Sequence, residues 1–354
     1  MSDLVTLNIG PDIFTGWSEV AINRSIDTVA GSFELAIVDV WDDDEVIGLY
    51  PLQRCKLKVG DRSLITGYID KQSPTITESN SAVQISGRCK TGDLVDCSSV
   101  STPGEWKNAS IEKIVRSVLN PQFGINLVID ADLSKKLNKF NVNFGESVFE
   151  TISRACENTA ILPLSTVDGD LLLTNVGSSR AHDDLFYGGN IDSASVDVDF
   201  TNRFSSYIIK GQKTGDGGTW NKQKTNNIYA ESSDQYIDRY RPKGISADNQ
   251  ISNTLAKRRV DWEAQVRAGR SVSVKVELPT WEQSNGDLWR ENLIVYTYIP
   301  RLRVDGDMVV REITYKLNGN NRRLSMSLVE PDIYAPEPKP VKKKSRKGKA
   351  VWLG

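Results

Sequence analysis

The 354-residue chain contains one histidine, His182, four cysteines and three methionines. Each scarcity removes a class of chemistry. Cys55, Cys89, Cys97 and Cys156 stand apart with no CxxC pair, whereas a tetrahedral zinc site draws on closely spaced thiolate and imidazole ligands. No metal and no other cofactor is expected, and the four thiols read as reduced side chains, mostly buried. A serine hydrolase would have only His182 as its base, and that residue lies in the polar stretch SSRAHDDLF with no nucleophile elbow beside it. It reads as a surface-loop histidine, and no catalytic residue is assigned. No apolar run approaches the ~18 residues of a membrane span. The N-terminal MSDLVTLNIGPD lacks the basic flank and apolar stretch of a secretory signal, so synthesis and assembly in the cytoplasm are expected.

Two stretches look chemical and fail on spacing. Asp42, Asp43, Asp44 and Glu45 have neither the alternating ligand positions nor the central glycine of a calcium loop, and read as a solvated hairpin tip. The glycine-rich GQKTGDGGTW lacks the Gly-Lys-Ser/Thr of a phosphate loop, since Gly218 is followed by Thr219 and Trp220, and reads as a flexible connection. Forty-six acidic residues guarantee that some pair could be drawn as a glycosidase dyad, but no cluster stands out. Eight tryptophans and eleven tyrosines could bind sugars. Trp17, Trp41, Trp262 and Trp281 lie beside predicted strands or helices, where core packing or subunit contact is the simpler role.

Charged residues make up 25% and hydrophobic ones 39% of the chain, the balance of an ordinary globular protein. The net charge of −2 conceals an asymmetry. Residues 335–354 hold seven Lys or Arg against one Glu, a local +6, which leaves the body at −8. Such a Pro-rich, basic tail buries too little apolar surface to order itself without a partner. Lys342, Lys343, Lys344, Arg346, Lys347 and Lys349, with Trp352 as an apolar anchor, are therefore the candidate partner-binding residues. The acidic body favours an acidic protein surface over nucleic acid, for which no base-reading motif is present.

Periodicity divides the rest. Residues 1–90 alternate in LVTLNI, FELAIVDV, CKLKV, SLITGYI and AVQISG, the signature of about five half-buried strands in a first barrel-like domain. The character changes at Thr91, and residues 91–180 form an α/β domain. Ser110 precedes an apolar helical face (Ile111, Ile114, Val115, Val118, Leu119) that ends before Pro121, and Ser147 with Glu150 makes a capping box for a second helix. A hairpin follows with Asp168-Gly169 at its turn. Residues 181–334 read as a second barrel-like domain. It contains a helix over about 248–267, with Ile251, Leu255, Trp262 and Val266 on one stripe and Gly269 as its stop. Its hairpin closes at Asn318-Gly319, with another turn at Asp305-Gly306. The fold class is mainly β, two small barrel-like domains flanking an α/β module, plus a long helix and a basic tail over 335–354.

This order joins three strings: ISGRCKTGDLVDCSS at 85–99, ESVFETISRACENTAILPLSTVDGDLLLT at 146–174 and VREITYKLNGNNRRLSMSLVEPDIY at 310–334. Together they resemble the P-type baseplate hub proteins of Mu-like contractile-tailed phages, related to the T-even phage hub and to the hub part of contractile secretion spikes. The resemblance covers most of residues 1–334 and has no counterpart for the tail. It implies a non-enzymatic homotrimer in which two similar barrels per chain give six near-equivalent units toward a six-fold tail tube, with a three-fold face toward a trimeric spike. Tube or tube-initiator proteins, other baseplate proteins and the tape measure protein are the partners it implies, and the virion tail baseplate is the location. No repetitive β-helical region follows the hub, so the spike is expected to be a separate chain. The rival readings are a cell-wall-degrading tail enzyme and a carbohydrate-binding tail adhesin.

Overall fold

Alternation of apolar and polar residues is the dominant local signal, and the chain answers it with strands. The computed structural model describes residues 5–39, 48–76, 81–100, 104–156, 159, 161–213, 226–246 and 253–335. Outside them lie the acidic stretch 42–45, Trp41, Ile251, the glycine-rich segment from 214 to 220, and the basic tail from 336 onward. Mainly β structure with few helices is observed, in agreement with the sequence.

The chain forms two units, Met1–Asp199 with Gly269–Tyr334, and Phe200–Ala268 with the tail. In the larger unit, one continuous sheet contains the same pairing pattern twice. In the first half, Glu19–Ser25 pairs with Ser32–Asp39, which pairs with Ser81–Cys89, which pairs with the 15-residue strand Arg62–Ile76. The opening part of that long strand also pairs with Arg54–Val59. In the second half, Ser193–Val198 pairs with Val272–Leu278, which pairs with Asn321–Val329, which pairs with the 15-residue strand Val304–Asn318. Its opening part pairs with Leu293–Ile299.

All of these ladders are antiparallel, and the three from Glu19–Ser25 to Arg62–Ile76 coincide in register, residue for residue, with the three from Ser193–Val198 to Val304–Asn318. The flanking ladders differ, since that of Arg54–Val59 shifts between Leu57 and Lys58 and that of Leu293–Ile299 does not. Lys71 faces Ser86 as Glu312 faces Ser327, and Phe33 faces Gly87 as Val274 faces Leu328. Each long strand is bulged at the same place, between Ile69 and Lys71 and between Val310 and Glu312. A bulge bends its strand and sharpens the twist, and each long strand changes neighbours there, from Arg54–Val59 to Ser81–Cys89 in the first half and from Leu293–Ile299 to Asn321–Val329 in the second. The inward positions Phe33 and Leu35, and Val274, Val276 and Leu278, are buried in one common core.

Between the repeats the chain builds the α/β module. Ser110 caps helix Ile111–Val118 by accepting from the Lys113 amide. The Ser147 and Glu150 capping box closes reciprocally, at 2.8 and 3.1 Å, ahead of helix Val148–Cys156. The apolar faces of both helices pack with Trp106, Leu171 and Leu173 into a separate core. Ile161–Ser165 and Leu171–Asn175 form the expected hairpin, and Leu127–Asp130 joins it in parallel. Gly169 at its turn has φ +76°, and a Cβ there would stand 2.4 Å from the Thr66 carbonyl oxygen. Only glycine meets both conditions.

The smaller unit is a three-stranded sheet, Ser206–Lys213 flanked by Asn226–Ser233 and Pro242–Ser246. Leu255, Ala256 and Val260 of helix Asn253–Arg270 pack on its Tyr207, Ile209, Ile228 and Ala230. Two sequence expectations are corrected here. Gly269 does not stop the helix, which continues to Arg270; glycine is needed because a Cβ would lie 2.5 Å from Ile333 Cγ2. Asp305-Gly306 is not a turn but part of the strand Val304–Asn318, opposite Tyr298 and Thr297. The chain reverses earlier, in the 3-10 turn Pro300–Leu302 with Arg303 left-handed at φ +57°. On the helix, Leu255 and Val266 are buried as expected, while Trp262 is half-buried and its indole N–H donates to the Ala335 carbonyl at 2.7 Å.

Candidate assembly site

The two repeats meet along one ladder. Glu19–Ser25 of the first pairs antiparallel with the closing half of Val304–Asn318 of the second, from Ser25 opposite Glu312 to Glu19 opposite Asn318. Val20, Ile22 and Arg24 face inward with Ile313 and Tyr315, and all five are buried. On the outward face the Asn23 amide donates to Glu312 Oε1 at 2.7 Å and to Thr314 Oγ1 at 3.1 Å.

Arg24 is the anomaly in this pattern, a guanidinium in the inward phase of a strand. Its Nε and Nη2 donate to Glu291 Oε1 at 2.8 and 2.6 Å, Nη1 to the Leu64 carbonyl at 3.0 Å, and Nη2 also to the Ser165 carbonyl at 2.6 Å. One side chain thus ties the first repeat to the α/β hairpin and to the loop before Leu293–Ile299 within the second repeat. The pair is only 6% and 8% exposed. Burial works against the charge on Arg24, but the Glu291 carboxylate and its hydrogen bonds outweigh that and push the guanidinium pKa up. Glu291 Oε2 is buried with no hydrogen-bond partner among the described residues. Tyr315 donates to the Trp289 carbonyl, and burial followed by the nearby Glu291 charge raises its phenol pKa.

Further contacts fix the α/β module to the sheet. Lys90 Nζ donates to the Gly124 carbonyl and to Asp170 Oδ1, both at 3.1 Å, and the Thr66 hydroxyl donates to the Val167 carbonyl at 3.0 Å. Asn292, left-handed at φ +65°, accepts from the Gly177 amide and donates to the Asn175 carbonyl. Burial alone would raise the Asp170 pKa; the Asn126 backbone and side-chain N–H groups and Lys90 outweigh it and hold the carboxyl below its ordinary value. A cavity of about 990 Å³ opens at this junction, lined by Arg24, Arg62, Ser165, His182, Asp287 and Glu291 among others. His182 is exposed there, and its backbone N–H donates to Gln283 Oε1 at 2.6 Å. Among the described residues no side chain is hydrogen-bonded to its imidazole. The arrangement is a framework of matched buried charges that sets the geometry of the sheet.

The candidate tail residues Lys342, Lys343, Lys344, Arg346, Lys347, Lys349 and Trp352 lie outside the described residues. The junction residues escaped the sequence reading, although Arg24 carried a signal: it continues the inward phase of Val20 and Ile22. Glu291, in a loop, carried none.

Three family models match successive parts of the chain. They are the N-terminal domain of Mu phage baseplate assembly protein GpP-like proteins (residues 4–89), the second domain of baseplate hub protein gp44-like proteins (91–175) and the fourth domain of Mu phage baseplate assembly protein GpP (252–337). The baseplate hub protein gp44 of Escherichia phage Mu is 32% identical over 337 residues, 92% of this chain and 88% of that one. The chain belongs to the Mu baseplate hub family. Its fold is shared by the 43 kDa tail protein of prophage MuSo2 from Shewanella oneidensis, with a TM-score of 0.83, 27% identity, and 94% of this chain and 99% of that one covered. A tail protein from Neisseria meningitidis has the same fold, with a TM-score of 0.76, 19% identity, and 95% and 99% covered. As a Mu-type hub protein the chain is a structural component of a phage tail baseplate, placed among other baseplate proteins, and not an enzyme. The junction of its two repeats is therefore an element of architecture.

Proposed function

We propose that this hub protein works as a homotrimer that joins a six-fold tail tube to a trimeric spike. The observation that carries the reading is the repeat. Two sheet units that share three ladders of the same register within each chain give three chains six near-equivalent sheet units around an axis, while the α/β module and the smaller unit occur once per chain. One face of such a ring suits a six-fold partner and the other a three-fold one. Tube or tube-initiator proteins, the spike, other baseplate proteins and the tape measure protein are its partners, met during assembly in the host cytoplasm. Residues 342–349 grip an acidic surface of a neighbour and Trp352 anchors the end.

Light scattering of the purified chain, alone and with the spike protein encoded beside it, tests the reading. A species of about three times 39.4 kDa is expected, and a monomer that ignores its spike at high concentration overturns it. Deleting residues 336–354 is expected to weaken assembly most at low salt, where charge attraction is least screened. Assembly equal to that of the full chain at every salt concentration refutes the role given to the tail.

A further inference from the structure

The pairing that joins the two repeats inside the chain uses one edge from each, and the matching edges are left over. In the second repeat, the closing half of the long strand takes Glu19–Ser25 as its neighbour on the side where its opening half has Leu293–Ile299. In the first repeat, the corresponding closing half, Lys71–Ile76, has no strand on that side among the described residues. The counterpart of Glu19–Ser25 in the second repeat is Ser193–Val198, since Glu19 faces Ala36 as Ser193 faces Glu277 in the matching ladders. Among the described residues that strand pairs only with Val272–Leu278 and ends the sheet. An unpaired strand edge presents a row of free N–H and C=O groups.

We propose that these two edges pair antiparallel between neighbouring copies, so that a second copy of this chain repeats the intrachain junction. The proposal rests on the trimeric reading above and names its interface. Transferring the observed register gives Gln72 opposite Val198, Ser73 opposite Asp197, Pro74 opposite Val196, Thr75 opposite Ser195 and Ile76 opposite Ala194.

Three features of the free edges fit this seam. Gln72, Pro74 and Ile76 share the phase of Ile313, Tyr315 and Leu317, and Ala194, Val196 and Val198 share the phase of Val20, Ile22 and Arg24. The face that is core at the intrachain junction is thus apolar on both free edges except at Gln72. Ile76 and Val198 on that face are 79% and 54% exposed in the single chain, and the seam would cover them. On the opposite face Lys71, Ser73, Thr75, Ser193, Ser195 and Asp197 are polar. There the intrachain bond from Asn23 to Glu312 is replaced by Asp197 and Lys71, opposite charges that have no other ion pair among the described residues. Pro74, at the position of Tyr315, has no N–H to give, which weakens the ladder by up to one bond. Proline on an edge also discourages indiscriminate pairing. The contact is head-to-tail, one edge type against the other, and closes into a ring when three copies meet.

Cysteine cross-linking tests it in the full chain with the exposed Cys97 changed to serine. Ser73→Cys with Asp197→Cys is expected to yield covalent dimers and trimers on a non-reducing denaturing gel, because directly opposed residues fall within disulfide reach. Ser73→Cys with Ser193→Cys, roughly 13 Å out of register, is expected to remain monomeric there. In parallel, Lys71→Asp should raise the concentration needed for the three-copy species several-fold, and adding Asp197→Lys should restore it. A three-copy species by light scattering without the cross-link, or with no response to the charge swap, overturns the seam and leaves the trimeric hub standing. Absence of any three-copy species, even with the spike protein present, overturns both.

Discussion

Changing Arg24 to methionine is the sharpest perturbation of the hub framework. The substitution keeps most of the side-chain volume and removes the ion-pair partner, the only one among the described residues, of a carboxylate whose side chain is 8% exposed. Leaving one member of a buried ion pair uncompensated costs about 3–5 kcal/mol, a large share of the roughly 5–15 kcal/mol by which a domain is stable. It also releases the carbonyls of Leu64 and Ser165, about 1 kcal/mol each. Urea unfolding followed by tryptophan fluorescence reads the effect where it occurs, because Trp281 and Trp289 are fully buried in the same core. With a slope of about 3 kcal/mol per molar urea, the midpoint should fall by at least about 1 M. The double variant Arg24→Met, Glu291→Met removes the orphaned charge as well. It should recover all but the carbonyl term, about 1–2 kcal/mol. A single variant that loses less than about 1 kcal/mol, or a double variant no better than the single, would refute the claim that this pair holds the repeats and the module together.

Three further outcomes follow from local geometry. Gly169→Ala should cost clearly more than Gly319→Ala, measured as melting temperature. Both glycines are left-handed, which costs a residue with a Cβ about 1–2 kcal/mol, but only at Gly169 does the added carbon strike backbone, the Thr66 oxygen. Asp234, paired with Arg203 at 2.5 Å and 6% exposed, should hold the smaller unit together down to low pH. Burial would raise its pKa, but the Arg203 hydrogen bonds and the Tyr236 amide lower it. Its stabilisation is complete above the unfolded carboxylate value near 4 and is lost as pH falls through the lower folded value. Hydrogen exchange of residues 234–241 should therefore accelerate below about pH 4, and Asp234→Asn should abolish that dependence. Alkylation at pH 8 should label Cys97 alone by mass spectrometry, since Cys55, Cys89 and Cys156 are buried and burial pushes the Cys55 and Cys156 thiols up to about 12.

Local signals in this sequence were legible wherever one residue type has one structural use. The Ser147 and Glu150 box, the Ser110 cap, the Asp168-Gly169 and Asn318-Gly319 turns and the mainly β character are all present in the structure. Gly269 and Asp305-Gly306 misled because glycine has two uses. It permits a left-handed turn, and it also permits close approach, as Ile333 requires of Gly269. The repeat was hidden for a different reason. Matching positions share inward or outward phase and not identity: Phe33 stands for Val274, Leu35 for Val276, Glu34 for Lys275. A sheet needs only the alternation at these positions, so its pairing can be copied while the residues diverge. Glu291 was illegible because its role depends on a partner far away in sequence.

The proposed ring would alternate two seams that share a register and differ in chemistry, and the difference follows from when each forms. The intrachain seam closes during folding, so it can enclose Arg24, whose charge is matched by a carboxylate and two carbonyls delivered by the same chain. The interchain seam closes between folded copies whose edges have stood in water. A guanidinium at the Val198 position would have to be desolvated at each association, and valine avoids that cost. Its polar contribution moves to the rim, where Lys71 and Asp197 gain little in affinity but select the correct partner edge and repel a like one. Raising ionic strength should therefore slow formation of the three-copy species of the tail-deleted chain more than it speeds its dissociation. Stopped-flow assembly at two salt concentrations measures both rates, and a salt effect confined to dissociation would place the decisive charges inside the seam instead.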